Sequence, residues 1–351
     1  MTQVKNKIVS IFNDIKLFFK EAFTKKYWQT KGKDGFKNLL VNHNYIISLI
    51  LLLVLGRIAS DNFLSINSLK ILLRSSIFVG VIALGMTFVI ISGNIDLSVG
   101  STLGLVGIYT AIVFNATLSI TLTFLFAIAF GAVLGLINGI FIGRFKVAAF
   151  IVTLATMAAY RSLTVQQGSG GPVILNQGVF YDTLYKVYFS EFLGIPISIW
   201  IFAACVILMI VIANKTKFGR YVYAIGSNEK AARLAGINVE RMKVLIFTLT
   251  GVLVGVAAFL YNAKLGAIDS ATAGKGYELD VIAAVAIGGT SMAGGKGYIQ
   301  GTLFGVISLF AIDSVLAAYQ VPAFVNDLIK GILILGAVLL QIALNRNKKD
   351  N

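Results

Sequence analysis

Long apolar runs separated by short polar stretches dominate the chain from residue 45 to residue 344. An α-helix needs about 20 apolar residues to cross the hydrocarbon core of a bilayer. The second and third runs are separated only by the polar stretch SGNIDLSVGS (92–101), and the eighth is short and rich in Gly and Ala. We therefore expect an all-α polytopic membrane protein with about ten transmembrane helices. The predicted spans lie near residues 45–60, 70–92, 97–115, 118–142, 147–166, 194–213, 242–264, 277–293, 298–320 and 323–344.

Composition strengthens the membrane assignment and excludes several other classes. Of the 351 residues, 57% are hydrophobic and 13% are charged, about half the charged fraction of a soluble domain. A net charge of +15 would suggest a nucleic-acid partner in a soluble protein. In a membrane protein it reflects cytoplasmic loops enriched in Lys and Arg, so we expect no nucleic-acid partner. Cys205 is the single cysteine and His43 is the single histidine. The chain therefore has neither a disulfide framework nor a multi-histidine metal centre.

The distribution of positive charge predicts the orientation in the membrane. If the N-terminus lies inside, 22 of the 30 Lys and Arg residues fall in cytoplasmic segments, as the positive-inside rule requires. These segments are 1–37, 143–146, 214–243, 294–297 and 345–350, whereas the loop 167–193 lies outside. Both termini are therefore expected in the cytoplasm.

The termini differ in character from the span-bearing region 45–344. Residues 1–44 form a basic extension, in which the apolar side chains of residues 4–23 recur on one side of a helix. This pattern predicts an amphipathic helix lying on membrane lipid. Residues 345–351 form a short basic tail.

The two halves of the chain resemble each other. SGNIDLSVG (92–100) aligns with LGAIDSATAG (265–274), which pairs Asp96 with Asp269, and KVAAFI (146–151) matches QVPAFV (320–325) at nearly the same offset. Five predicted spans separate the partners, so the two copies have opposite orientations. The sequence predicts two inverted repeats, roughly 79–165 and 252–340, which are common in transporters and place short or broken helices near the transport path. The alternative is coincidental similarity between helices rich in Gly, Ala and Val.

Three motifs in this order resemble the membrane permease subunits of ribose-type ABC sugar importers: ALGMTFVIISGNIDLSVGS (83–101), GRYVYAIGSNEKAARLAGINV (219–239) and GYELDVIAAVAIGGTSMAGGKG (276–297). The resemblance implies a ten-helix permease of the bacterial inner (plasma) membrane, present in two copies per complex. It also implies two kinds of partner: a cytoplasmic ABC ATPase subunit, which binds ATP and Mg²⁺, and an extracytoplasmic sugar-binding protein.

This chain is expected to bind no cofactor of its own and to be a transport subunit without an ATPase site. GGTSMAGGKGY (288–298) is similar to a phosphate-binding loop, but Thr290 replaces its first Gly and Gly297 replaces the Ser or Thr that binds magnesium. ATP hydrolysis therefore belongs to the partner subunit.

The polar stretch 92–101 contains the first candidates for the substrate path, Asn94 and Asp96. A carboxylate in the middle of a bilayer costs roughly 2.5–3.5 kcal/mol, so Asp96 should face protein or a watery path. One interpretation is a helix cap, in which Asp96 accepts hydrogen bonds from otherwise unpaired backbone N–H groups. The other is a polar contact for sugar hydroxyls, and the two are compatible.

Further acidic residues are candidates for the path at other depths. Asp269, Glu278 and Asp280 are predicted near the outer face, where they would form an entrance; the alternative is ordinary solvated loop charge. Asp313 lies inside the ninth predicted span, where structural pairing and a role in the path are both open.

The loop 214–243 suggests a hypothesis about contact with a partner subunit. NEKAARLAGI (228–237) predicts a short amphipathic helix that begins at a capping Asn228 and ends at Gly236. Its small apolar residues would form an exposed knob, while its cations stay solvated or meet acidic groups. In the resembling permeases this region is the coupling helix, which inserts into a groove of the ATP-binding subunit; the alternative is a helix lying at the lipid headgroups. The residues expected to carry coupling are Asn228, Glu229, Ala231, Ala232, Arg233 and Gly236.

Three classes of protein compete for this pattern. A secondary transporter would share the inverted repeats, and an intramembrane enzyme would need a nucleophile or metal constellation, which the sequence does not provide. The permease of an ABC importer is favoured. Its substrate stays open among ribose, galactose, xylose, arabinose, a signalling furanose and nucleosides, with branched-chain amino acids as a further alternative, because the binding protein sets most of the selectivity.

Overall fold

The computed structural model describes residues 44–322 and a few positions between 325 and 336. The described residues lie almost wholly in one compact unit, Ser48–Asn351. The predicted N-terminal extension, most of the tenth span and the basic tail lie outside the described residues.

Helices occupy the positions of the first nine predicted spans, and four more helices lie in the loops between them. The helices that coincide with predicted spans are α1 (Asn44–Ala59), α2 (Ile66–Ile91), α3 (Val99–Thr117), α4 (Ile120–Gly143), α5 (Ala149–Gln167), α8 (Ile197–Lys215), α11 (Val239–Leu265), α12 (Tyr277–Ile287) and α13 (Ile299–Ala318). The loop helices are α6 (Gln177–Phe180), α7 (Leu184–Phe189), α9 (Lys217–Ser227) and α10 (Glu229–Leu234).

Within the described residues, six helices are long and apolar enough to cross a membrane: α2, α3, α4, α8, α11 and α13. A multi-pass α-helical membrane protein is therefore confirmed, while the count of ten spans stays a prediction. α12 has 11 residues, which at about 1.5 Å per residue makes it about 16 Å long. It reaches about half-way across a hydrocarbon core of about 30 Å.

The core of the bundle lies around α2 and α11. In the most apolar window of α2, 89% of the residues are buried, against 28% in α4 and α8, so α2 is central and the other two lie at the rim. α11 contacts α4 along its length, and small residues allow that approach. A Cβ on Gly131 or Gly135 of α4 would overlap the backbone of α11, and the facing Gly251 and Gly255 have the same constraint. Such small residues let transmembrane helices pack backbone to backbone.

Two short antiparallel strand pairs interrupt the otherwise helical fold, and the sequence pattern did not predict them. β1 (Pro172–Ile174) pairs with β4 (Ala267–Asp269), and β2 (Glu191–Phe192) pairs with β3 (Ile195–Pro196). Strands of two or three residues are too short to show a period-2 pattern. The first pair fastens the loop after α5 to the second copy of the repeated motif.

Candidate functional site

The polar stretch 92–101 forms the break between α2 and α3. Gly93 adopts φ +80°, a conformation that favours glycine, and the Asn94 N–H donates to the carbonyl of Val89 at 3.0 Å. The Asn94 side chain donates to the backbone and hydroxyl oxygens of Ser92. These contacts give Asn94 a local role in ending α2.

Asp96 is buried, with 3% of its surface exposed. Its Oδ1 accepts hydrogen bonds from the Ser98 N–H at 2.9 Å and the Ser98 hydroxyl at 2.6 Å. Asp96 therefore closes a turn that leads into α3, a common use of an aspartate side chain. It is not the helix cap that the sequence suggested, because Ser98 occupies the N-cap position. The Asn138 amide of α4 donates to the same hydroxyl at 2.9 Å, so this buried polar network joins the break to a neighbouring helix.

The second copy of the motif builds the same turn. Asp269 Oδ1 accepts the Ala271 N–H at 2.9 Å, and Oδ2 accepts the Thr272 hydroxyl at 2.8 Å. These hydrogen bonds hold the pKa of Asp269 below its usual value. Asp96 and Asp269, which the alignment pairs, thus each accept the backbone N–H of the residue two positions on.

The two motifs meet at their terminal glycines. A Cβ on Gly100 would overlap the carbonyl oxygen of Gly274, and a Cβ on Gly274 would overlap the carbonyl oxygen of Gly100. Gly274 also has φ +68°. Only glycine allows this reciprocal backbone contact.

A cavity of about 220 Å³ lies where α3, α5 and the start of α12 face one another. Arg161 of α5, one of its lining residues, donates from Nη1 to the Ala273 carbonyl at 2.7 Å. Sequence reasoning missed this residue. Its signal is visible, because Arg161 is the single charge in the 19 residues of α5. An ionisable residue in a predicted membrane span is a functional candidate. The lining residues are Ser101, Met157, Ala158, Arg161, Lys275 and Glu278.

The remaining acidic candidates occupy two different helices. Glu278 and Asp280 lie in the first turn of α12, where negative charge is favourable beside unpaired backbone N–H groups. Asp313 is half-buried on α13, which packs against α2 and α12. The structure therefore brings Glu278 to the contact between the motifs, whereas Asp313 belongs to a separate helix.

Across the part of the chain that the structure describes, no group of three or more His, Cys, Asp and Glu side chains is placed to hold a metal ion.

On the predicted cytoplasmic side, α10 forms at the predicted position. Asn228 Oδ1 accepts the Ala231 N–H at 3.0 Å, and Gly236 ends the segment with φ +82°. The expectation that Ala232 belongs to an exposed knob is wrong: 4% of its surface is exposed, because it packs against the rest of the chain. Leu234, with 91% of its surface exposed, and two neighbouring alanines are the exposed apolar residues of this segment.

Four charged residues connect α10 to the first turns of α11. Glu229 contacts Arg233 at 2.8 Å and Lys243 at 3.0 Å, and Arg233 also contacts Glu240. Partial desolvation disfavours the charged form of Glu229, but the hydrogen bonds from Arg233 and Lys243 outweigh it and lower the pKa of Glu229. Hydrogen bonds to Glu240 and Glu229 raise the pKa of Arg233. Of the two outcomes that the sequence left open for Arg233, solvation or contact with acidic groups, the structure shows the contact.

Apolar helices with a polar cavity among them define a multi-pass membrane protein, and breaks such as the two motifs are common in transporters. A family model described as the permease component of branched-chain amino acid transport systems matches residues 68–338. The chain belongs to this permease family.

Individual relatives of the chain are named as permeases for sugars. The chain is 36% identical to the ribose import permease protein RbsC of Haemophilus influenzae, over 88% of this chain and 95% of the relative. It is 41% identical to RbsC of Bacillus subtilis, over 84% and 90% of the two chains. It is 34% identical to the xylose transport system permease protein XylH of Haemophilus influenzae, over 87% and 96%. No solved structure matches. The resemblance to ribose-type permeases is confirmed.

Proposed function

We propose that this chain is the membrane-spanning subunit of an ATP-driven importer for a monosaccharide of the ribose or xylose type. The observation that carries the proposal is the similarity, over more than four-fifths of the chain, to permeases named for ribose and xylose. In this proposal a cytoplasmic ATPase subunit supplies the energy and an extracytoplasmic binding protein delivers the sugar. The second permease copy in the complex rests on the resemblance alone.

We infer further that the chain has ten spans arranged as two inverted repeats. α2, with 26 residues, ends five residues before Asp96, and α11, with 27 residues, ends four residues before Asp269. Matching helix lengths, the same aspartate turn and the reciprocal contact of Gly100 with Gly274 support the repeat. The path would then pass close to the contact between the motifs, where Asp96, Glu278 and the polar cavity lie. Asn94, Asp269, Asp280 and Asp313 stay path candidates at other depths.

For coupling, the proposal assigns the contact with the ATPase to α10. Leu234 and the neighbouring exposed alanines offer a small apolar surface outside the apolar spans. The ion pairs of Glu229 and Arg233 with Lys243 and Glu240 bind this surface to α11, and α11 packs on α2, α3 and α4. A displacement of α10 would therefore be passed to helices beside both motifs.

The test is uptake by cells that express this chain together with its partner ATPase and binding protein. Labelled D-ribose, D-xylose and L-leucine are supplied separately, and a matched strain carries an ATPase whose phosphate-binding lysine is replaced. The proposal predicts uptake of a sugar that stops in the matched strain. Uptake of leucine instead would support the branched-chain amino acid alternative, and sugar uptake that persists without ATPase activity would identify a secondary transporter.

A further inference from the structure

Arg161 is the single charged side chain of α5. It lies six positions before Gln167, the last residue of α5, which is about 9 Å along the helix axis. Its hydrogen bond to the Ala273 carbonyl occupies one of the five N–H donors of a guanidinium. One carbonyl contact can be made by a neutral amide, so this contact alone does not account for a charge at this position.

Two glycines of α3 make room for the groups around Arg161. A Cβ on Gly104 would lie 3.0 Å from the Ala273 oxygen and 3.4 Å from Arg161 Nη1. A Cβ on Gly100, one turn earlier, would overlap Glu278 Oε2. Because neither glycine has a side chain, there is space beside α3 for the Arg161 guanidinium and the Glu278 carboxylate.

The cavity between these groups has a mixed lining. Its volume of about 220 Å³ equals about seven waters at about 30 Å³ each. Met157 and Ala158 provide an apolar wall, while Ser101, Arg161 and Glu278 provide donors and an acceptor. A sugar ring has the complementary chemistry, since its hydroxyls both donate and accept and its C–H face is apolar.

We infer that this cavity is a transient sugar-binding subsite on the translocation path, in which Arg161 donates and Glu278 accepts hydrogen bonds with sugar hydroxyls. The inference rests on the proposed function and deepens it. Gly100 and Gly104 serve the subsite by leaving space for both groups, and Ser101 adds a hydroxyl at its edge.

The test compares uptake of D-ribose with uptake of its 2-deoxy, 3-deoxy and 5-deoxy analogues by the complete complex. Glu278→Gln and Arg161→Lys are measured against wild type at equal permease levels in the membrane. All strains contain the same binding protein. Its preference among the sugars therefore cancels when a variant's uptake of each sugar is divided by the wild-type uptake of that sugar. Asp182→Asn is the matched control, because Asp182 is an exposed carboxylate that does not line the cavity.

We expect each cavity variant to lower D-ribose uptake about fivefold, the effect of one net hydrogen bond, and to spare at least one deoxy analogue. The control should have the same relative effect on the uptake of D-ribose and of each of its three analogues. Equal losses for all sugars in both cavity variants, or failure of both variants to accumulate in the membrane, would show a structural role and overturn the inference. Wild type without ATP-dependent sugar uptake would overturn the proposed function as well, so the two failures are distinguishable.

Discussion

At the residue scale, Asp96 shows how a carboxylate is accommodated inside an apolar bundle. Its Oδ1 accepts two hydrogen bonds from Ser98, and Ser98 is in turn held by Asn138. A buried polar group is tolerated when it is hydrogen-bonded. The carboxylate thereby defines the start of α3, and with it the position of Gly100 at the contact between the motifs.

Replacement of Asp96 tests whether its hydrogen bond or its negative charge stabilises the fold. Asp96→Leu leaves the buried Ser98 N–H without its acceptor, at a cost of about 1–3 kcal/mol, and should lower the amount of folded permease and its unfolding temperature in detergent. Asp96→Asn keeps a side-chain oxygen and should stay close to wild type in both measurements. The same fall for both variants would mean that the negative charge, and not the hydrogen bond, is required.

At the element scale, the short helix α10 was predictable from its sequence while its packing was not. Asn228 and Gly236 act locally, through a cap and a left-handed turn, so a ten-residue pattern was sufficient. Which alanine faces the protein depends on contacts with distant segments, and the expectation for Ala232 was therefore wrong. The β1–β4 pair escaped prediction for the same reason, because its strands are about 95 residues apart and too short for periodicity.

Two substitutions on α10 should have opposite effects. Leu234→Glu places a charge on an exposed surface and should preserve permease levels but abolish co-purification with the ATPase subunit. Ala232→Glu places a charge in a packed position and should instead reduce permease levels. Both are measured by immunoblot and affinity co-purification.

Lys230→Gln is the control for these variants, because Lys230 is an exposed residue of the same helix and its loss adds no bulk or negative charge. It should retain both permease level and association. Normal co-purification of the Leu234→Glu variant would place the ATPase contact elsewhere on the cytoplasmic side.

At the scale of the whole molecule, hydropathy was sufficient to place helices at the first nine predicted spans, because polar or Gly-rich stretches mark the end of each apolar run. It did not reveal the polar cavity, which is assembled from α3, α5 and α12. Arg161 carried a visible signal, as the lone charge of the predicted span 147–166, but only the fold shows that Glu278 lines the same cavity. Sequence therefore located the elements, and tertiary structure located the site.

The proposed orientation predicts a simple labelling pattern. In a Cys205→Ser background, Ser169→Cys in the loop after α5 should react with a membrane-impermeant thiol reagent in intact cells. Ser227→Cys, before α10, should react only after permeabilisation. Both positions are exposed, so access to the reagent is not limited by burial. Labelling of Ser227→Cys in intact cells would invert the topology and remove α10 from the cytoplasm.

The central claim is that this chain passes a sugar through the membrane when a partner hydrolyses ATP. The most direct measurement uses proteoliposomes that contain the purified permease–ATPase complex, with the binding protein and labelled D-ribose or D-xylose on the side opposite the ATPase. Our account predicts sugar accumulation only when ATP and Mg²⁺ are present on the ATPase side. Accumulation of either sugar at the same rate without ATP, or ATP hydrolysis with no sugar crossing the membrane, would contradict it.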